Sequence, residues 1–86
     1  MKTFDEQFNV FLKEKFLVDE KAIVDNARFL VELEFTLEET VCFIKEIQSI
    51  FQVEIPIYDI KLVLTIGGMK KYIKQKLKIY NNTNLN

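Results

Sequence analysis

Val41, Ile44, Ile47 and Phe51 recur at steps of three and four directly behind the tetrapeptide Thr36-Leu37-Glu38-Glu39. An α-helix brings residues at that spacing onto one face, whereas a strand would scatter them over two. The tetrapeptide supplies the start. The Thr36 hydroxyl can accept the amide of Glu39, and the Glu39 carboxylate can reach back to the Thr36 amide, which together make a capping box. The pattern predicts a helix from Thr36 to about Phe51, with Leu37 as its first helical residue at the positive end of the dipole. Cys42, Phe43 and Ile50 widen the apolar face. Such a helix is expected to pack on two sides or to offer part of its surface to a partner.

The same period recurs on either side. Phe4, Phe8, Phe11, Leu12 and Phe16 predict a helix from about Thr3 to Leu17, its aromatic face turned to a core. Residues 18–35 carry Val18, Ala22, Ile23, Ala27, Phe29 and Leu33 without a clean period. They read as a long connection laid over the other helices and pinned by these side chains, with a turn at Asp25-Asn26. Ile55 precedes the single proline, Pro56, and is expected to be extended. Ile57 to about Leu62 suits one or two helical turns. Thr65 offers a cap for a last helix, Ile66 to about Lys78, with Met69, Tyr72, Ile73 and Leu77 facing inward. Gly67 and Gly68 would weaken its first turn by roughly 1 kcal/mol each relative to Ala, unless they serve a close backbone approach. Two glycines and one proline among 86 residues favour long helices over a turn-rich β fold. The expectation is an all-α fold in one domain over residues 1–80, followed by a flexible polar tail over 81–86. It would be a four-helix bundle with three longer helices, a short third one and a long loop between the first two.

Charge is placed unevenly along the chain. Residues 1–40 hold ten acids against five bases, and residues 41–86 hold three acids against seven bases. The basic half ends in Lys70, Lys71, Lys74, Lys76 and Lys78. This run reads either as a solvated helix face or as a docking surface for something anionic. Cys42 is the only cysteine, so no internal disulfide is possible, which fits a reducing cytoplasm. The chain contains no His, and no nucleophile–base pair or metal-ligating constellation stands out. It is expected to be non-enzymatic and to bind no metal. No apolar run has the length of a membrane span and no signal-peptide pattern is present, so a cytoplasmic protein is expected.

Several segments together resemble the acyl carrier protein family, in one ungapped register covering nearly the whole chain. Asn26-Ala27-Arg28-Phe29 with Leu33 resembles the family's connection before its second helix. Thr40-Val41 lies early in that helix. Phe51-Gln52-Val53-Glu54-Ile55-Pro56 resembles the "F-x-x-E-I-P" exit from it, and Thr65-Ile66 with Tyr72-Ile73 resembles the "T-V…Y-I" of the final helix. The resemblance implies a phosphopantetheine-binding four-helix fold. It also implies a site, since family members carry Asp-Ser-Leu at the start of helix two, after a Leu-Gly. The serine is esterified with 4′-phosphopantetheine, whose thiol holds the acyl chain. In the same register Thr36 takes the aspartate's place and Leu37 the serine's. Glu34 replaces the glycine and Glu38 the following leucine.

A phosphodiester needs a side-chain oxygen, and Leu37 has none. No cofactor is therefore expected. Thr36 is not expected to substitute. It is β-branched and engaged in the cap, and a shift of one residue turns a helical side chain by about 100°. Thr40 lies a turn further in. A register placing Thr36 on the serine would need an extra residue before Phe51 and would displace the stripe through Val41, Ile44 and Ile47. The family's acidic helix-two face is thinned as well. The comparable positions here hold Glu38, Cys42, Lys45, Gln48 and Ser49, with Ile50 beside them. The resemblance implies a protein-binding module beside enzymes of fatty-acid, polyketide or related lipid biosynthesis, using Leu37, Glu38, Val41, Cys42 and Lys45. One leucine buried in a partner's pocket contributes about 1.5–3 kcal/mol. The competing view is a face that has lost its duty. Phe29, Phe43 and Phe51 are expected to fill the interior and leave no lipid pocket. Two other readings stay open: a genuine carrier with the arm on an atypical residue such as Thr36, and an unrelated helical interaction domain. Nucleic acid is not the expected partner, because exposed aromatics and arginines do not interleave with the lysines.

Overall fold

Threonine caps begin the first two helices, as their spacing requires. The structure, a computed structural model, describes residues 2–84, with the backbone alone for 79–84. Helix α1 spans Phe4–Lys15. Thr3 is its cap: its hydroxyl accepts the Glu6 amide at 3.2 Å, and its own amide donates to Glu6 Oε1 at 3.3 Å. The helix stops short of the expected Leu17, because Leu17 turns into the left-handed region at φ 57°. Helix α2 spans Leu37–Phe51 and starts at the predicted residue. Its exit is Gln52, also left-handed (φ 55°, ψ 45°), and the Val53 amide donates back to the Gln48 carbonyl at 3.1 Å. This six-residue closure is the one a helix commonly makes with glycine. A 3₁₀ segment, Ile57–Val63, follows Pro56. Helix α3 spans Ile66–Asn84 and so continues past the expected end at Lys78. Leu85 and Asn86, the end of the expected tail, lie outside the described residues.

The long connection is not featureless. It contains a 3₁₀ turn at Glu20–Ala22, which its sequence did not announce. The expected turn at Asp25-Asn26 is present. Ala27 and Phe29 are buried, as is Phe35, which the aperiodic pattern had not singled out. The Phe29 amide donates to the Leu64 carbonyl at 3.0 Å, the Ile66 amide to the Ala27 carbonyl at 3.0 Å, and the Gly67 amide to the Asp25 carbonyl at 2.8 Å. These bonds stitch the connection to the start of α3. They also account for the glycines. A Cβ on Gly67 would lie 2.9 Å from the Asp25 carbonyl oxygen, and one on Gly68 would lie 2.7 Å from that of Leu62. Both positions need hydrogen because backbone passes against them.

Ring contacts set the helix directions. Phe4 meets Phe51 with centroids 4.8 Å apart, while Phe16, at the other end of α1, meets Phe43 at 5.2 Å and Phe35 at 5.5 Å. Helices α1 and α2 are therefore antiparallel. Lys74 of α3 reaches Asp5 at 3.0 Å, and Lys70 lies over the Phe8 ring, so α3 runs antiparallel to α1 as well. The result is a small all-helical bundle with no strand among the described residues; one isolated bridge joins Arg28 to Thr65. Phe43 sits at its centre, ringed by Phe8, Phe11, Phe16, Phe29 and Phe35. This cluster corrects the predicted inner face of α2. The buried residues are Thr40, Phe43, Ile44 and Ile47, while Val41 is 45% exposed. Turning Phe43 inward rotates Val41 to the edge of the packed face.

Candidate functional site at the start of the second helix

A hydrophobic groove opens along the outer side of α2. Leu37, Thr40, Val41, Ile44, Lys45 and Gln48 form one wall, and Ile55, Ile57, Ile60 and Leu64, with Leu30 from the connection, form the other. Its volume is about 410 Å³. This groove is open at the surface and is distinct from the interior space that the phenylalanines were expected to fill. Phe29 and Phe43 are fully buried, yet they fill the α1 side of α2, and this aliphatic groove lies open on its other side.

The groove holds its shape through three local devices. At the tip of α2 the Thr36 amide donates to Glu39 Oε1 at 2.8 Å, and the Glu39 amide donates to the Thr36 hydroxyl at 3.0 Å. The capping box predicted from spacing is complete. At the far end Gln48 Oε1 accepts the Ile55 amide at 2.9 Å, which ties the extended exit to the helix it has left. Below, the Tyr72 hydroxyl donates to Asp59 Oδ2 at 2.5 Å and anchors the 3₁₀ wall to α3. Burial of that phenol, together with the Asp59 carboxylate beside it, pushes its pKa up to about 12. The phenol therefore stays a donor through the neutral range.

Leu37 stands at the rim, 69% exposed, as the first residue of α2. Val41 and Lys45 follow it along the same wall, one and two turns on. Glu38 and Cys42 are exposed on the neighbouring strip and do not line the groove. Of the five positions expected to bind a partner, three are thus brought to one surface. The hydroxyl groups nearby are committed to structure. That of Thr36 accepts the Glu39 amide, and that of Thr40, in a side chain only 3% exposed, donates to the Thr36 carbonyl at 3.0 Å. Chemically the groove offers aliphatic surface with one ammonium at its margin. It can take up hydrocarbon from a ligand or from another protein's side chains.

The opposite wall was not identified from sequence. Ile57, Ile60 and Leu64 are spaced three and four apart, and Ile57 is 86% exposed. That spacing is a usable signal, although by itself it specifies only the one or two helical turns expected from Ile57 to about Leu62. Among the described residues no group of acidic, His or Cys side chains has the geometry of a metal site. No helix in that range is long and apolar enough to cross a membrane. The chain matches no known family model, and no solved structure matches it.

Proposed function

We propose that this chain is an acyl-carrier-protein-like module that binds proteins and carries no phosphopantetheine arm. It would work beside enzymes of fatty-acid, polyketide or related lipid biosynthesis in the cytoplasm, without catalysis of its own. One observation carries the reading. Leu37 is the exposed first residue of α2, at the rim of an apolar groove, and it has no oxygen on which an arm could be esterified. The resemblance in the residues around it supplies the family. The helix order adds support: a long pinned connection precedes α2, and a short 3₁₀ segment precedes α3.

The cap geometry disfavours an arm elsewhere. A threonine whose hydroxyl receives the Glu39 amide would have to leave the cap to be modified, at a cost of about 1 kcal/mol in helix stability. Thr40 is buried. The decisive measurement is intact mass after incubation with a phosphopantetheinyl transferase and coenzyme A. The native chain is expected to keep its mass, and Leu37→Ser is expected to gain one arm. A pantetheine-sized gain by the native chain would sink the proposal, and peptide mapping would then assign the residue.

A further inference from the structure

A second concavity, lined by other residues, has a different chemistry. It runs between α1 and α3, with a volume of about 460 Å³, and is lined by Lys70, Lys71, Lys74, Gln75 and Lys78 of α3, with Asp5 and Asp25 facing them. On a helix these α3 positions fall within one arc of the circumference, away from buried Met69, Tyr72 and Ile73. Four ammonium groups meet two carboxylates there, an excess of positive charge in a recess rather than on a convex helix face.

Two of the four are already held in place. Lys74 lies 3.0 Å from Asp5 Oδ1 and over the Phe4 ring at 5.7 Å, and Lys70 lies over the Phe8 ring at 5.5 Å. Ordering a lysine from solution opposes binding, so part of that entropy is spent in folding instead. The same contacts exclude some ligands. Lysines cover the faces of Phe4 and Phe8 that border this flank, leaving those faces closed to a stacked base. The chain's one arginine, Arg28, is engaged by Glu32 at 2.7 Å. Recognition here rests on point charges and one amide, which suits phosphate oxygens.

We propose that the α1–α3 groove is a binding site for a compact anion bearing several phosphate charges, of the diphosphate or triphosphate class. Its volume lies in the range of small-molecule sites, which span about 300–1,000 Å³. The site is independent of the groove beside Leu37, and its failure would leave the function proposed above untouched.

Calorimetric titration of the full chain with inorganic tripolyphosphate, at fixed ionic strength, tests the site. Saturable 1:1 binding is expected, with sulfate at the same ionic strength far weaker. Lys71→Gln with Lys78→Gln should weaken binding by about tenfold, since two charge contacts are lost. Asp5→Asn should tighten it by a few-fold, because it removes an opposing charge while the Phe4 ring still holds the Lys74 ammonium. A merely damaged fold cannot tighten binding, so the pair of variants separates recognition from stability. Non-saturable binding, equal affinity in the lysine double variant, or tighter binding of a polyglutamate peptide than of tripolyphosphate would overturn the proposal.

Discussion

Arg28 and Glu32 make the most tightly drawn polar contact in the connection. The guanidinium donates from Nε to Oε1 at 3.1 Å and from its terminal nitrogen to Oε2 at 2.7 Å, while the Arg28 amide donates to Oε1 at 2.7 Å. The side-chain bonds from Arg28 come first, and with the backbone bond they lower the Glu32 pKa to about 2. Because the folded value is depressed, this loop contact is intact above the ordinary carboxylate range and is lost only as pH falls through about 2. Carboxyl NMR should place the Glu32 midpoint well below the ordinary carboxylate range, and Arg28→Gln should raise it. A midpoint indifferent to Arg28 would refute the assignment. At this scale Leu37 is the other residue that matters to the proposed function, in which the absence of a side-chain oxygen at that position leaves no place for an arm. Spacing in the chain marked Leu37 as the first residue of α2. It gave no sign of the Arg28–Glu32 pair, since two charges four apart in an aperiodic stretch do not declare a loop closure.

Helix ends carry most of the specificity at the next scale. Thr36 satisfies an orphan amide of α2 and fixes where Leu37 emerges. Thr36→Ala should cost about 1 kcal/mol, within a range of 0.5–2, measured by urea unfolding, while Thr36→Asp should not. Equal stability of Thr36→Ala and the native chain would remove the cap from the account. The start of α3 behaves in the opposite way to what helix propensity suggests. A Gly→Ala change inside a helix ordinarily gains roughly 1 kcal/mol. At Gly68 the new methyl would meet the Leu62 carbonyl oxygen at 2.7 Å, and a backbone atom cannot swing aside. Gly68→Ala should therefore destabilise by about 1–3 kcal/mol, the usual range for overpacking. A raised melting temperature would contradict this. The glycines could be read from sequence as either weak helix formers or contact points, and only the Leu62 and Asp25 backbones decide between the two.

For the whole molecule, Phe43 is the keystone of the core, fully buried within the ring of phenylalanines from α1 and the connection. Phe43→Ala should cost about 3–5 kcal/mol, as large aromatic truncations do. Domains of this kind are stable by about 5–15 kcal/mol, so the variant is expected to be partly or wholly unfolded at moderate urea. Unfolding followed by circular dichroism would check this, and a loss under 1 kcal/mol would move the core's centre elsewhere. The same cluster divides the molecule. Aromatic rings fill the space between α1 and α2, and aliphatic side chains line an open groove on the far side of α2. Lysines occupy a third face between α1 and α3.

Local physics was enough to determine the helical class and where α2 begins, because period and caps act over a few residues. The all-helical class, the caps at Thr36 and Thr65, the first residue of α2 and the inward face of α3 all follow from interactions within one or two turns. The long-range features are of another kind. Spacing places Val41 on the apolar stripe without saying which part of it is covered, and the ring around Phe43 draws Thr40 and Phe43 inward and leaves Val41 at the groove. The groove needs Leu30, Leu37 and Ile57 from three separate segments, and no period within one segment encodes their meeting. Tertiary structure alone decides which apolar residues are core and which remain as surface, since that depends on how much of each helix its neighbours can cover.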